Sequence, residues 1–488
     1  MTLDDTIAAI ATAPGAAGLA VVRVSGRDAV AIAERVVPRA ALAAAPSHTL
    51  HHAWAIADST ARAGGSRGDA SGATGHAREN EARASDACED ETLDEVVVAL
   101  FRAPRSYTRE DVVEISCHGG ALPARRVLDA LLAAGARLAG PGEFTLRAFL
   151  NGRLDLAQAE AVADLIHAET DRARSLALAQ LSGALSRRIA AIEERVTDAL
   201  AEIEARVDFA EDVGGIEVPE HVVRGLSAVA DELSDMLAGA AYGRAVREGV
   251  RVPLVGRPNA GKSSLFNALV GEARAIVASE PGTTRDRVSE AVEIAGVRVT
   301  LSDTAGLRDP GDAIEAEGVA RAREALRGAQ AIVWVVDGSR PLGAADFALA
   351  GEFAGAAVTL ALNKSDLPRA ADVERLRAAA NGHAPRVVPV SATAGTGIDD
   401  LRRALGEALG AGGAEGAALA VGNARHAEAL SEARRALDRA TQAARELAPG
   451  EIVALELREA LHALGAVTGR AVAEDVLDRI FGRFCVGK

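Results

Sequence analysis

The segment Gly256-Arg257-Pro258-Asn259-Ala260-Gly261-Lys262-Ser263 constrains this chain more than any other stretch. It fits the pattern G-x-x-x-x-G-K-[ST]. Its flanks supply the context that the pattern needs: Val250 to Val255 reads as a strand, and Ser264 to Leu269 as the start of a helix. A strand, a glycine-rich turn and a helix in that order aim backbone N–H groups and a positive helix end at one point, which suits phosphate oxygens. Lys262 is then placed to reach the β- and γ-phosphates of a nucleotide, and the Ser263 hydroxyl to bind Mg²⁺. A plain glycine-rich turn with a stray lysine would need none of the partner motifs that follow.

Those partners lie between about residues 248 and 412 and point to guanine. Asp303-Thr304-Ala305-Gly306 follows a predicted strand, Val297 to Leu301, so that Asp303 would hold Mg²⁺ through water and the Gly306 N–H would meet the γ-phosphate. Asn363-Lys364-Ser365-Asp366 follows the strand Val358 to Leu362. Asp366 accepts from guanine N1–H and the 2-amino group, Asn363 supports the loop, and the Lys364 stem covers the ring. Ser391-Ala392 follows the strand Arg386 to Val390 and offers a backbone donor to guanine O6. Gly282-Thr283-Thr284-Arg285-Asp286 supplies a switch threonine, Thr284, for Mg²⁺ when a γ-phosphate is present. The expected GTP-binding set is completed by Asn259, Ala260, Gly261 and Ser264, and by Ala278, Ser279, Glu280 and Pro281 just before that switch. One departure matters: Leu307 stands where small signalling GTPases carry a water-orienting glutamine. Hydrolysis then needs another residue, a partner or an ion. Glu315 is a candidate, against the alternative of an ordinary exposed helix glutamate.

At 488 residues the chain is too long for one core, and two to four domains are expected. Only 3% of residues are aromatic, so alanine, valine and leucine must build the cores. The net charge of −15 argues against a broadly basic nucleic-acid sleeve. Cys88, Cys117 and Cys485 lack metal-ligand spacing and suggest a reducing compartment. The acidic start Met1-Thr2-Leu3-Asp4-Asp5, with no run of 18 apolar residues anywhere, leads to the expectation of a cytoplasmic chain without signal peptide or membrane span. Of 54 basic residues only three are lysines, and two of those, Lys262 and Lys364, fall in nucleotide motifs; the third, Lys488, is the last residue.

The region up to about residue 150 reads as an α+β domain. Gly18 to Ser25, Asp94 to Phe101 and Asp111 to Ser116 are predicted strands, and Asp28 to Val37 and Ala121 to Ala134 predicted helices. Arg23 and Glu114 each interrupt an apolar strand, and face either solvent or a binding cleft. Residues 57–92 contain no valine, isoleucine, leucine, methionine or aromatic residue, which reads as a disordered insertion. From Arg153 the pattern turns helical. Leu185, Ile189, Ile192, Val196, Leu200, Ile203 and Val207 form one seam, and Val222, Leu226, Val229, Leu233 and Leu237 another. Helices return after residue 420. The expected architecture is multidomain α/β and α: an N-terminal α+β domain (1–150), a helical domain in two segments (151–247 and 413–488), and an inserted P-loop GTPase domain (248–412).

Taken together, these motifs resemble the MnmE (TrmE) family of tRNA-modifying GTPases over nearly the whole chain. The resemblance is carried by Thr6 to Ala20, Asp111 to Glu114 through His118-Gly119-Gly120, Pro141-Gly142-Glu143-Phe144-Thr145 and Arg147 to Ala161. Gly282 to Asp286 and the tail Phe484-Cys485-Val486-Gly487-Lys488 also carry it. It implies an N-terminal domain that binds a tetrahydrofolate derivative (5-formyl or methylene) and dimerises. It implies joint action with an FAD- and NADH-dependent partner subunit, in a heterotetramer, to install a carboxymethylaminomethyl or aminomethyl group on carbon 5 of the tRNA wobble uridine. By the same resemblance Arg23, Glu114, Arg153 and Lys488 are folate contacts, although the family often has lysine where Arg153 stands. Asn259, with backbone groups of Ala278, Glu280 and Thr283, matches a K⁺ site, and Glu315 matches the residue that orients water. A K⁺ there would take the place of the missing glutamine or of an arginine finger. The tail is expected to be anchored by Phe481 and Phe484, with Gly487 letting Lys488 swing free. Cys485 is either a possible modification-centre residue or a half-buried packing thiol. A ribosome-assembly GTPase would share Leu307 but should carry an RNA-binding module, and none is evident. A folate-dependent transferase or a dimeric scaffold would need no full nucleotide set.

Overall fold

Two kinds of apolar pattern build two different sheets. The computed structural model describes residues 4–57, 91–209, 217–272, 289–303, 326, 328–350, 353, 356–379, 385–411 and 421–488. By its internal contacts the chain divides into two units, Met1–Glu160 with Val472–Lys488, and Ala161–Ala471.

In the first unit β1 (Ile7–Ile10), β2 (Leu19–Ser25), β3 (Thr49–Ala57), β4 (Glu91–Phe101), β5 (Val112–His118) and β6 (Arg137–Leu138) form a sheet in the order β3-β4-β5-β2-β1-β6. Neighbours are antiparallel except β6, which runs parallel to β1. Alternate residues turn inward: Ala20, Val22 and Val24 on β2, and Val113, Ile115 and Cys117 on β5. They share one core with α1 (Ala29–Val36) and α2 (Ala121–Ala133), as expected for an antiparallel sheet covered on one face. Arg23 and Glu114 fall on the alternate positions, directly opposite each other in the β2–β5 register.

Ala57 pairs with Glu91 across the β3–β4 ladder, so residues 57, 91 and 92 are strand ends rather than part of an insertion. The rest of that expected insertion, with Cys88, lies outside the described residues.

The N-terminal strand is tied to α3 (Glu143–Leu150) by a buried arginine. Arg147, 1% exposed, donates to the Asp5 carbonyl at 2.8 Å, and pairs with Asp5 at 2.6 Å, Glu143 at 3.2 Å and Glu110 at 3.3 Å. Burial works against the Asp5 and Glu143 carboxylates, but Arg137 and Arg147 outweigh it and hold both below the usual carboxylate range.

The second unit holds β7 (Val250–Val255), β8 (Ser289–Ile294), β9 (Val297–Asp303), β10 (Ala331–Asp337), β11 (Ala357–Asn363) and β12 (Arg386–Pro389), ordered β12-β11-β10-β7-β9-β8. All neighbours are parallel except the β8–β9 hairpin. Ala331 to Val336 are buried without a break, because a central parallel strand is covered on both faces. Its helices are α4 (Leu156–Ile166, which crosses the boundary at Glu160), α5 (Asp171–Leu181), α6 (Ala184–Asp208), α7 (Glu220–Ala238) and α8 (Ala240–Glu248). The remainder are α9 (Lys262–Glu272), α10 (Ala344–Ala350), α11 (Val373–Ala379), α12 (Ile398–Ala408), α13 (Ala424–Arg445) and α14 (Gly450–Thr468). α13 and α14 pack on each other and on α7 and α6 respectively, so helices from before and after the sheet share one bundle. Leu185, Ile189, Ile192, Val196 and Ile203 of the α6 seam are buried.

A last helix, α15 (Glu474–Phe481), and the tail belong to the first unit, whereas the sequence reading joined them to the helical segment. Phe481 and Phe484 are buried, with ring centroids 5.5 Å apart.

Because Ala57 and Glu91 are already paired, an Asn-Gly turn replacing residues 58–90 should close the hairpin. Thermal denaturation should find the melting temperature within a few degrees of the full chain; a larger fall would show that the segment contributes packing.

Candidate functional site

Strand β7 delivers the chain into the loop Gly256 to Ser263, and α9 leaves it. Gly261 has φ +92°, and a Cβ there would lie 2.1 Å from Asn363 Nδ2, so no other residue fits. The Lys262 side chain folds over the loop, Nζ donating to the Gly256 and Arg257 carbonyls at 2.9 Å each. Ser263 Oγ donates to Asp303 Oδ2 at 2.5 Å. Two oxygens from β9 and α9 thus meet beside the loop, a donor set suited to a hard divalent cation.

The guanine motif is locked to this loop by Asn363, 2% exposed. Its Nδ2 donates to the Ala260 carbonyl at 2.9 Å, and its Oδ1 accepts from the Ala392 N–H at 3.1 Å. One side chain therefore joins the phosphate loop, the end of β11 and the Ser391-Ala392 turn. Lys364, at φ +63°, donates to the Asn259 carbonyl at 3.2 Å and pairs with Asp337 at 2.6 Å. Burial raises the cost of the Asp337 carboxylate, yet Lys364 and the Ser339 hydroxyl and N–H outweigh it and hold the group below the usual range. Ser391 is buried and accepts from the Ala394 N–H at 3.1 Å, which shapes the turn. Asp366 and Asn259 are exposed at the rim. Ser264 is exposed on the first turn of α9. Ala278, Ser279, Glu280, Pro281, Gly282, Thr283, Thr284, Thr304, Ala305, Gly306, Leu307 and Glu315 lie outside the described residues.

The first unit carries a second site. Arg23, Glu114 and Arg153 line a cavity of about 560 Å³. Arg23 Nε and Nη2 both reach Glu114 Oε1 at 2.8 Å. Tyr107 meets two arginines: the Arg23 guanidinium is 5.1 Å and the Arg153 guanidinium 4.7 Å from its ring centroid. Arg153 Nη1 also donates to the Tyr107 carbonyl at 2.9 Å, and the Tyr107 hydroxyl meets Thr145 Oγ1 at 2.8 Å. Lys488 is half-buried but does not line the cavity; its neighbour Gly487 does the touching, accepting from Arg23 Nη1 at 3.4 Å.

The tail corrects two expectations. Gly487 is buried at φ +93°, where a Cβ would lie 2.3 Å from the Ile10 carbonyl, and Val486 bridges to Pro141. Gly487 therefore seats the tail instead of freeing it. Cys485 is exposed, not half-buried, whereas Cys117 is buried and its thiol is pushed up by burial and by Asp94.

Sequence reasoning missed Asp337, although an acid ending a wholly apolar strand is a readable signal. It also missed Tyr107, Arg105 and Arg109, which sit on the connection between β4 and β5 where no periodicity marks them.

The nucleotide-loop geometry and the parallel sheet around it define a P-loop GTPase fold in a chain that also carries a helical bundle and a separate α+β unit. Two family profiles match: "MnmE helical domain" over residues 156–485 and "GTP-binding protein TrmE N-terminus" over residues 6–153. The "tRNA modification GTPase MnmE" of Symbiobacterium thermophilum is 46% identical, the match covering 99% of this chain and 100% of that protein. The protein of the same name from Geobacter sulfurreducens is 43% identical, with 100% of both chains covered. The chain belongs to the MnmE (TrmE) family. Among solved structures, the G domain of the T. maritima FeoB iron transporter is 28% identical over 33% of this chain and 98% of that one, with a TM-score of 0.25. Among the described residues no helix is long and apolar enough to cross a membrane.

Proposed function

We propose that this chain hydrolyses GTP in the cytoplasm and uses the hydrolysis cycle to drive modification of tRNA. As a homodimer joined to an FAD- and NADH-dependent partner in a heterotetramer, it adds a carboxymethylaminomethyl or aminomethyl group to carbon 5 of the wobble uridine. The carbon comes from a tetrahydrofolate, 5-formyl or methylene. The observation that carries the reading is the Asn363 frame, which ties the phosphate loop to the Ser391-Ala392 turn, with Ser263 in contact with Asp303 and Asp366 exposed at the rim, in a chain whose full-length relatives are described as tRNA modification GTPases.

The residues divide the work by chemistry. Lys262 and the loop amides of Asn259 to Ser264 bind the phosphates, and Ala278 to Thr284 and Thr304 to Gly306 are assigned as further GTP contacts, with the Gly306 N–H on the γ-phosphate. Ser263 and Asp303, already in contact, would hold Mg²⁺ with Thr284; the ion neutralises phosphate charge. Asp366, with Asn363, Lys364, Ser391 and Ala392, selects guanine. Asn259 would hold K⁺ with the backbone of Ala278, Glu280 and Thr283. Its own carbonyl is engaged by Lys364 and its side chain lies exposed at the loop, which fits a ligand offered outward. Glu315 orients the attacking water, a role Leu307 cannot fill. In the first unit, Glu114 and Arg23 suit the donor and acceptor edges of a pteridine ring, and Arg153 suits the carboxylates of a folate's glutamate tail, as does Lys488, whose neighbour Gly487 accepts from Arg23. Cys485 is the thiol this reading assigns to the modification centre, and its exposure on the seated tail is in keeping with that role.

GTP hydrolysis should run much faster in K⁺ than in Na⁺, and Asn259→Ala should remove the difference. Glu315→Ala should slow turnover by about 100-fold or more with nucleotide affinity nearly intact. Equal rates in the two salts would count against the ion site. The function itself is tested by nucleoside analysis of tRNA from a strain lacking this chain: wobble uridines should lose the aminomethyl-type groups, and a normal profile would refute the assignment.

A further inference from the structure

The cavity of the first unit holds more positive charge than its own carboxylate answers. Arg23, Arg105, Arg109 and Arg153 all line it with Glu114, and Glu114 is already paired with Arg23. Arg153 donates to the Tyr107 carbonyl and Arg109 to the Asn151 carbonyl, both at 2.9 Å. Those partners are neutral, so the charge remains. Among the described residues none of Arg105, Arg109 and Arg153 is ion-paired. Guanidiniums do not shed their protons at any ordinary pH. Three uncompensated cations in one hollow, in a chain of net charge −15, select for an anion of several charges. The hollow's volume of about 560 Å³ is that of a small-molecule site rather than an open nucleic-acid surface.

The charges are also graded by depth. The Arg23 and Glu114 side chains are 15% and 26% exposed, while Arg105 and Arg109 are exposed residues. Donors and acceptors with an aromatic ring occupy the inner part, and bare cations the mouth. This is the distribution wanted by a ligand with a planar hydrogen-bonding head and a flexible polyanionic tail. A monoglutamyl folate brings two carboxylates, and each added γ-glutamyl unit brings one more.

On the reading that this cavity takes a tetrahydrofolate, we infer that it is built for the oligo-γ-glutamyl form, with Arg105 and Arg109 as the residues that read the tail. Each rim guanidinium meeting a carboxylate contributes roughly threefold in affinity, so two give about tenfold. The preference weakens as salt screens the mouth.

The test is calorimetric titration of the full-length chain with 5-formyltetrahydrofolate as the monoglutamate and as the pentaglutamate. The pentaglutamate should bind about tenfold tighter at low salt, and the advantage should shrink in about 0.5 M salt. Arg105→Gln with Arg109→Gln should remove the advantage while lowering monoglutamate affinity far less. Since Arg109 also braces the Asn151 carbonyl, Arg105→Gln alone provides a second readout and should cut the advantage about threefold at unchanged melting temperature. Equal affinity of the unaltered chain for both forms would overturn the inference and leave the folate site standing. Binding of neither form would overturn both.

Discussion

The nucleotide-binding half of this protein depends on the side chain of one buried asparagine. Asn363 donates into the phosphate loop at Ala260 and accepts from the turn at Ala392, so the phosphate and base ends of the site are held in fixed register. The close approach is also why Gly261 must be glycine: its α-carbon faces Asn363 Nδ2 with no room for a methyl group. Around this centre Lys364 and Asp337 add a second bridge, from the guanine loop to the Asn259 carbonyl. A buried amide with both ends satisfied is rigid, and a rigid frame lets exposed groups such as Asp366 wait in place for a ligand.

The same logic extends along the sheet. Strand β9 carries Asp303 at one end, in contact with Ser263. At its other end the Ala295-Gly296 turn of the β8–β9 hairpin is held by helices: Tyr242 donates to the Ala295 carbonyl at 3.0 Å and Thr170 to the Gly296 carbonyl at 2.9 Å. The metal-side carboxylate is therefore set by a strand anchored in the helical scaffold. In the first unit a different device serves the same end. The buried Arg147 gathers Asp5, Glu110 and Glu143, and the C-terminal tail is seated through Gly487 against Ile10.

Much of this was legible because it rests on local pattern. The phosphate loop and the guanine motif follow mainly apolar strands, so their sequence context announced them, and the α6 seam showed helical spacing. What escaped notice depends on three-dimensional juxtaposition or weak pattern. β1 is a four-residue strand that is apolar throughout, and β3 turns Ala53 and Ala55 inward while Leu50 and Trp54 are exposed, so neither shows the usual alternation of large apolar and polar residues. Tyr107 and the rim arginines lie on a connection without periodicity. Arg23 and Glu114 were visible as charges inside strands, but only the β2–β5 register shows that they face each other. The conformation of Gly487 is set by close approach to Ile10, hundreds of positions away, and no local pattern marks Cys485 as exposed.

The direct test of the frame compares two single substitutions within four residues. Stability and GTP affinity should both be measured for Asn363→Ala and for Asp366→Ala. Asn363→Ala should lower stability by about 1–3 kcal/mol and also weaken GTP, because it leaves the Ala260 carbonyl and Ala392 N–H without their shared partner. Asp366→Ala, at an exposed position, should weaken GTP with stability unchanged. An Asn363→Ala protein that is as stable as the unaltered chain would contradict the account.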